Sequence, residues 1–271
     1  MSISTAASRL ATRADRLTNL RSKIHEIKPP GGKKAFANKE DDRYWKPQVD
    51  KAGVGSAVIR FLPAKVSEDF PFVELYTHGF QGPSGKWFID NCPTSIGDTC
   101  PACEANKVLW NTNLDANKQL ASSRKRRLSY ISNILVVSDP KHPENNGKVF
   151  LYRYGKKIFE MISGLIDPLP PVFDEPAIQP RDPFDLEFGC NFKLRVMKVA
   201  SYPNYDKSTF EAGETALGSE AQIDQVISAL YSLDEIRDPK NFKPYAALGG
   251  VLLDRCRAAL TLRDPTHPSS M

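Results

Sequence analysis

The sequence predicts a mixed α+β fold, mainly β with helices, in which short strands form a small barrel and a metal ion holds a second segment in place. Three observations lead to this prediction. Short stretches of β-branched and aromatic residues recur along the chain, apolar residues follow helical spacing in two segments, and four potential metal ligands lie between residues 78 and 103. With 271 residues, the chain can bury a full core in one elaborated domain or in two small ones.

Residues 1–35 form a basic segment in a chain that is otherwise close to neutral. Eight Lys or Arg and two acidic residues give this segment a net charge of +6, whereas the whole chain carries +5 and the remainder therefore −1. The segment ends in a Pro-Pro-Gly-Gly sequence at 29–32. We predict a flexible or conditionally helical arm that binds an anionic partner. A solvated helix without a partner is the alternative, because charged runs often only increase solubility.

Strands are predicted where β-forming residues lie between turn residues. We expect them at 55–61, 72–76, 86–89, 128–137, 148–154 and 191–197. Strict alternation places Phe150, Tyr152 and Tyr154 on one face of the fifth strand. Several of these stretches are too apolar to be half exposed, which indicates the filled interior of a small barrel.

Two helices are predicted from apolar residues at helical spacing. The first is marked by Ile158, Met161, Ile162 and Leu165, and the second by Ile223, Val226, Ile227 and Leu230. Six prolines between residues 168 and 183 prevent regular structure and predict an extended connector. No apolar run approaches the ~20 residues of a membrane-spanning helix, so no membrane partner is expected.

Four residues predict a structural zinc site of the Cys₃His type, because Zn²⁺ prefers four nitrogen and sulfur ligands in a tetrahedron. They are His78, Cys92, Cys100 and Cys103, and we call them the ligand cluster. Metal binding is expected to anchor a long irregular stretch, 79–99, to the rest of the fold. Ordinary buried thiols or a redox pair are the alternative, although a redox pair would not explain the flanking histidine and third cysteine. The odd total of five cysteines argues against a disulfide framework.

Three clusters mix basic and aromatic side chains, as is typical of proteins that hold single-stranded nucleic acid. The first is Arg124-Lys125-Arg126-Arg127, here called the basic run, followed by Tyr130; the second extends from Lys148 through Tyr152 to Lys157; the third contains Tyr202, Tyr205 and Lys207. Cations pair with phosphates, and rings stack on bases at roughly 1 to 3 kcal/mol per base. For any one tyrosine, packing in the core is an equally good interpretation.

Motifs in the same order along about 45–210 resemble one known family. They are His78-Gly79-Phe80, Gly85-Lys86-Trp87 before Cys92, Cys100-Pro101-Ala102-Cys103, Asn133-Ile134-Leu135-Val136-Val137 with Asp139-Pro140, Pro143-Glu144-Asn145, and Gly147-Lys148-Val149-Phe150 continuing through Tyr152-Arg153-Tyr154-Gly155-Lys156-Lys157. This pattern resembles the single-stranded DNA-binding proteins of T4-type bacteriophages, also called helix-destabilising proteins. The resemblance implies an OB-fold core, a zinc-binding subdomain at about 64–125, and a cleft between them for single-stranded DNA.

The resemblance also implies roles for individual residues. It assigns one Zn²⁺ to the ligand cluster and places DNA contacts at Trp110, Lys125, Arg126, Arg127, Tyr130, Tyr152, Arg153, Tyr202 and Tyr205. Two positions depart from the family pattern. Ile131 stands where a tryptophan is common, and the residues just before Cys100 include no tyrosine, so Tyr76 or Trp87 could take over stacking.

The domain organisation follows from the same resemblance. Residues 1–35 form an arm for cooperative self-association through Arg9, Arg13 and Arg16, residues 36–260 form the DNA-binding core, and residues 261–271 lack the acidic tail of the family. In the family such a tail recruits replication and recombination proteins. Those partners are therefore expected only if the full-length protein has a tail.

The predicted function is cooperative, sequence-nonspecific binding of single-stranded DNA during phage DNA replication, recombination and repair, in the cytoplasm of the infected bacterium and without enzymatic activity. Two alternatives remain. A zinc-dependent nuclease is disfavoured, because four protein ligands close the metal shell and the chain has no HExxH motif or phosphate-binding loop. A protein-interaction module would instead use the basic arm to bind an acidic partner.

Overall fold

The computed structural model describes residues 3–26, 41–173 and 178–256, with side chains described from Asp15 onward. Within these residues the fold has nine strands and six α-helices, which confirms the predicted mixed α+β class. The predicted C-terminal end, 261–271, lies outside the described residues, as do the side chains of Arg9 and Arg13.

The elements are numbered here in chain order. The strands are β1 (Tyr44–Trp45), β2 (Gly55–Phe61), β3 (Val73–Gln81), β4 (Trp87–Asn91), β5 (Arg127–Ser138), β6 (Val149–Tyr154), β7 (Phe192–Val199), β8 (Tyr202–Asn204) and β9 (Thr209–Phe210). The helices are α1 (Ile3–Glu26), α2 (Pro101–Asn111), α3 (Asp115–Ser123), α4 (Lys156–Ile166), α5 (Glu220–Ser228) and α6 (Tyr245–Cys256).

The chain divides into two compact units. Among the described residues, unit 1 comprises 3–26, Asp41–Val73 and Tyr130–Asp234, and unit 2 comprises Glu74–Ser129 and 235–256. The subdomain predicted at about 64–125 overlaps the first segment of unit 2. The contribution of 235–256, which includes α6, was not predicted, because these residues are far from the ligand cluster in sequence.

The sheet of unit 1 follows the order β1-β6-β5-β2-β7, with β8 and β9 both paired to β7. The pairs β2–β5, β2–β7 and β5–β6 are antiparallel, whereas β1 pairs in parallel with β6. A register shift between Val58 and Ile59 interrupts the β2–β5 ladder. Such bulges bend strands and increase their twist, which is compatible with the predicted small barrel.

The core of unit 1 surrounds the fully buried ring of Phe61. Tyr154, Phe184 and Phe192 contact this ring at centroid distances of 5.5, 5.8 and 5.7 Å. Helix α4 covers the core with four buried residues, Ile158, Phe159, Ile162 and Ile166. The helix predicted from this periodicity is confirmed.

Helix α5 also forms where apolar spacing predicted it. Ser219 precedes the helix and accepts a hydrogen bond from the Gln222 amide, while the Gln222 side chain accepts one from the Ser219 amide, so a capping box starts the helix. The proline-rich connector carries no helix or strand in its described residues, as predicted. None of the described helices has the length and apolarity to span a membrane.

One expectation about unit 2 was wrong. The stretch 79–99, predicted to be irregular, begins within the β3–β4 hairpin and continues into a 3₁₀ helix at Pro93–Ile96. The strand predicted at 86–89 is confirmed as β4. Helices α2, α3 and α6 were not predicted. Helix α2 buries only Pro101 and Ala102 and exposes Val108 and Trp110, so no buried apolar stripe marks it in the sequence.

The described part of the basic arm is a helix that packs within unit 1. Leu20 of α1 is 1% exposed. Arg16 Nε donates to Asp182 Oδ2 at 2.6 Å, and Arg16 Nη2 donates to Asp185 Oδ2. Farther along the helix, Arg21 Nε donates to the carbonyl oxygen of Ile166 at 3.1 Å. Arg16, predicted to take part in self-association, thus finds its anionic partners in its own chain.

We expect Arg16→Ala to lower the free energy of unfolding by about 1 to 3 kcal/mol, because Oδ2 of the fully buried Asp182 loses the guanidinium that neutralises it. Urea unfolding followed by circular dichroism measures the change. As a control, Lys156→Ala removes an exposed ion pair with Glu160 and should cost less than about 1 kcal/mol. Unchanged stability of the Arg16 variant would mean that this ion pair does not hold α1 on unit 1.

Candidate metal centre and nucleic-acid contacts

The β3–β4 hairpin forms the base of the candidate site. His78 is paired with Asp90, and Phe80 with Phe88, whose ring stacks on that of Phe80 at 4.9 Å. The connecting loop turns at Gly85 with a φ of +75°, a conformation that favours glycine. Alternate residues of β3 share a face, so Tyr76, His78 and Phe80 form one row along the strand.

The three cysteines reach His78 from two segments. Cys92 directly follows β4, and its amide donates to the carbonyl oxygen of Tyr76 at 2.8 Å. Cys100 is the N-cap of α2, with Pro101 at the first helical position. The helix then brings Cys103 onto the same side as Cys100, because residues three apart in a helix are neighbours.

The ligand atoms of the cluster all lie within 4.8 Å of one another. His78 Nε2 is 3.4 Å from Cys100 Sγ and 3.5 Å from Cys103 Sγ, and Cys92 Sγ is 3.6 Å from Cys103 Sγ. A tetrahedral metal with bonds of about 2.3 Å to sulfur and about 2.0 Å to nitrogen requires S–N edges of about 3.5 Å and S–S edges of about 3.8 Å. The cluster therefore has the composition and the dimensions to hold one metal ion.

The neighbours of His78 orient its ring toward the sulfurs. Nδ1 lies 3.3 Å from the carbonyl oxygen of Arg124, which can only accept a hydrogen bond. Nδ1 therefore carries the proton of a neutral ring, and Nε2 is left to bind a metal. Burial lowers the pKa of His78, but hydrogen bonds to Cys100 and Cys92 outweigh burial and raise the pKa to about 9. Metal binding must displace this extra proton.

The thiols differ in their readiness to ionise. Hydrogen bonds from Cys100 and Cys103, together with the nearby His78, hold the pKa of Cys92 well below the usual value. Hydrogen bonds to Cys100 and Cys92, together with burial, raise the pKa of Cys103. A cation bound between the sulfurs would offset the repulsion of three thiolates at these distances.

An apolar shell encloses the ligand cluster. The shell consists of Phe80, Phe88, Ala102 and Leu248, with Val251 and Leu252 of α6 packed against it. Gly82 allows the end of α6 to approach the hairpin, because a Cβ there would lie 2.0 Å from the carbonyl oxygen of Arg255. An apolar shell of this kind limits the access of solvent to a metal bound in the cluster.

The basic run lies along the face of β3 that carries His78. The guanidinium of Arg124 lies over Phe80 at 5.4 Å and that of Arg126 over Tyr76 at 4.3 Å. Arg124 is 9% exposed, whereas Lys125 is exposed and Arg126 and Arg127 are half-buried. Burial also lowers the pKa of Arg127. The predicted residues Lys125, Arg126 and Arg127 are therefore accessible to differing degrees.

The predicted aromatic contacts fall into two groups. In unit 2, Trp110 on α2 is 52% exposed; in unit 1, Tyr202 is 49% exposed and Tyr205 is half-buried. Tyr130 and Tyr152 are 1% and 3% exposed, and the ring of Tyr130 stacks on Phe159 at 3.8 Å. A base requires an accessible ring face, so burial favours a packing role for these two rings; their stacking on DNA stays a prediction.

Arg153 contacts an aromatic ring in unit 1 that the sequence did not indicate as its partner. Its guanidinium lies 6.0 Å from the ring of Tyr44 on β1, and burial lowers its pKa. Tyr76 and Thr94 both contact Arg126. Tyr76 was named from the sequence only as an alternative stacking residue, and no sequence signal marks Thr94.

Comparisons with known proteins agree with this arrangement. A family model described as "gp32 DNA binding protein like" matches residues 53–253, a range that includes the ligand cluster and the basic run. The single-stranded DNA-binding proteins of Enterobacteria phages T2 and T4 are each 39% identical to the chain over 223 residues, covering 80% of this chain and 71% of theirs. The single-stranded DNA-binding protein of Enterobacteria phage RB70 is 44% identical over 103 residues, covering 36% of this chain and 84% of its own.

We expect one Co²⁺ per chain to bind with the absorption of a tetrahedral thiolate site. Cys103→Ser should weaken Co²⁺ binding by at least about tenfold. Removing a residue that only hydrogen-bonds to a metal ligand already costs about tenfold or more in metal affinity, and this variant removes a ligand itself. Cys256→Ser is the matched control, because Cys256 is a half-buried thiol of unit 2 outside the cluster. If the two variants bound Co²⁺ equally well, the ligand assignment would be wrong.

Proposed function

The chain belongs to the gp32-like DNA-binding protein family, and from this membership we propose that it binds single-stranded DNA without sequence preference during phage DNA replication, recombination and repair. The observation that carries the proposal is the 39% identity, over 223 residues, with phage proteins named for this activity. The infected bacterial cell is the corresponding site of action.

Cations and rings that are exposed or half-buried in each unit support the proposal. Unit 2 offers Lys125, Arg126 and Trp110, and unit 1 offers the exposed Tyr202 and the half-buried Arg153. Cations neutralise phosphates whatever the base, and every base has a face on which a ring can stack. Contacts of these two kinds give affinity for single strands without reading sequence.

We propose that the metal is one structural Zn²⁺. Three sulfurs and one imidazole nitrogen form a set that zinc prefers, and the set leaves no position for a substrate. Zinc bound there adds its binding free energy to the folding of unit 2, whose apolar shell is small. The closed ligand set also makes a zinc-dependent nuclease the weaker alternative, since a catalytic zinc usually keeps one position open.

Cooperative self-association is proposed for the N-terminal arm, with Arg9 and Arg13 as its contacts. Arg16 is better assigned to the fold of unit 1, where it pairs with Asp182 and Asp185. Replication and recombination proteins are further proposed partners if the full-length protein carries an acidic tail.

Titration with oligo(dT) and with duplex DNA of equal length tests the proposal. We expect tryptophan fluorescence to be quenched by oligo(dT) at lower concentration than by duplex DNA. The signal should come mainly from Trp110 and Trp87, which are 52% and 46% exposed, because Trp45 is buried and donates its Nε1–H to Asp139 at 2.9 Å. Equal affinity for single-stranded and duplex DNA would contradict the proposed function.

The salt dependence of the same titration identifies the phosphate contacts. Arg126→Ala and Arg127→Ala should each reduce the slope of log affinity against log salt by about 0.7, the value for one phosphate contact on a single strand. Lys141→Ala removes the same charge at an exposed position outside the proposed contacts and should leave the slope unchanged. A slope equal to that of the wild type in both arginine variants would exclude these residues from the DNA contacts.

The role of the arm can be tested in a variant that keeps Arg16 and Leu20. Deleting residues 1–35 would also remove Arg16 and Leu20, so we choose the double variant Arg9→Ala/Arg13→Ala. We expect it to bind an oligonucleotide of one site length as the wild type does but to bind long poly(dT) more weakly, because only a long strand supplies neighbours. Equal losses on the two lengths would indicate ordinary phosphate contacts instead of self-association.

A further inference from the structure

A chain of side-chain hydrogen bonds joins the basic run to the ligand cluster. Arg126 Nη1 donates to Thr94 Oγ1, and Thr94 Oγ1 lies 3.1 Å from Cys92 Sγ. Thr94 is half-buried and belongs to the 3₁₀ helix that begins directly after Cys92. One hydroxyl thus connects a metal ligand with a proposed DNA contact.

The chemistry of the three groups fixes the direction of both hydrogen bonds. A guanidinium can only donate, and a metal-bound thiolate can only accept. The hydroxyl of Thr94 has one proton and two lone pairs, so it donates to Cys92 and accepts from Arg126. Thr94 is therefore locked in one orientation when Cys92 is a metal-bound thiolate, whereas a neutral thiol would allow either direction.

A second contact holds the same guanidinium from its face. The ring of Tyr76 lies 4.3 Å from Arg126 Cζ, which is within the range of a cation–π contact. A guanidinium has five N–H groups, and one of those of Arg126 donates to Thr94. The remaining N–H groups can donate to phosphate oxygens, in the planar geometry that arginine uses for such groups.

We propose that Thr94 is a positioning residue that, together with Tyr76, orders the Arg126 side chain in a phosphate-binding geometry before DNA arrives. The inference rests on the proposed binding of single-stranded DNA. It adds a structural reason for the position of the metal centre. Cys92 orients the hydroxyl of Thr94, and Thr94 orients the guanidinium of Arg126. Ordering in the free protein removes the entropy loss that a mobile arginine would incur on binding.

The test is a double-mutant cycle between Thr94 and Arg126, measured as affinity for a one-site oligo(dT). Thr94→Val keeps the side-chain shape and removes the hydroxyl, and should weaken binding by about two- to tenfold, the cost of immobilising one long side chain. Thr94→Ser keeps the hydroxyl and should restore most of the affinity. In an Arg126→Ala background, Thr94→Val should have no further effect, since the group it positions is absent.

Thr94→Val also removes an outer hydrogen-bond partner of Cys92 and should weaken metal binding, so the cycle is measured at saturating Co²⁺, where the absorption of Thr94→Val should equal that of the wild type. If this variant failed to bind Co²⁺, the same cycle would be run with Tyr76→Leu, which removes the ring and keeps Thr94, with Tyr76→Phe as its conservative control. Tyr76→Leu should likewise have no effect in the Arg126→Ala background.

Three results would overturn the inference: wild-type affinity in Thr94→Val, an equal loss with and without Arg126, or wild-type affinity in Arg126→Ala. Each of these results counts against the inference only if the wild-type protein binds oligo(dT) more tightly than duplex DNA. Failure of the proposed function would instead appear as the absence of that preference in the wild type.

Discussion

The convergence of one imidazole and three thiols on a single point is the constraint on which unit 2 depends. His78 comes from a strand, Cys92 from the residue after the next strand, and Cys100 and Cys103 from the start of a helix. The apolar shell around them is small, so packing alone supplies little stability to this unit. A metal bound there would link these segments directly, and its binding free energy would add to that of folding.

The same constraint extends outward to the basic run. The carbonyl oxygen of Arg124 is the partner of His78 Nδ1, and the Arg124 guanidinium lies over Phe80 on the same strand face. Arg124 is thereby used internally, which leaves Lys125 exposed and brings Arg126 next to Thr94 and Tyr76. The consecutive residues Arg124, Lys125 and Arg126 therefore have different surroundings.

Unit 1 uses its aromatic residues mainly for packing. Tyr154 donates to or accepts from Ser132 at 2.9 Å, and burial raises its pKa. Tyr152 packs edge-on against Trp45 at 5.4 Å. Strand β6 lies between β1 and β5, and residues on both of its faces are buried. Alternation along such a strand identifies faces but cannot tell which face meets solvent.

The sequence by itself determined the features that depend on residue type and local spacing. The sequence predicted the ligand cluster, the strands around Phe61 and Leu151, the apolar face of α4 and the mixed α+β class. Each of these leaves a local pattern in the sequence: closely spaced zinc ligands, alternating residues in strands, or apolar residues at helical spacing. Tertiary structure alone decided the features that depend on which distant segments meet. These features are the folding of α6 into unit 2, the pairing of Arg16 with Asp182, the burial of Tyr130 against Phe159 and the link through Thr94. In each of them, the sequence neighbours of the residues give no sign of the contact. The physical reason is that exposure and hydrogen-bond partnership are properties of the assembled surface, whereas the local pattern fixes only the conformation of each segment.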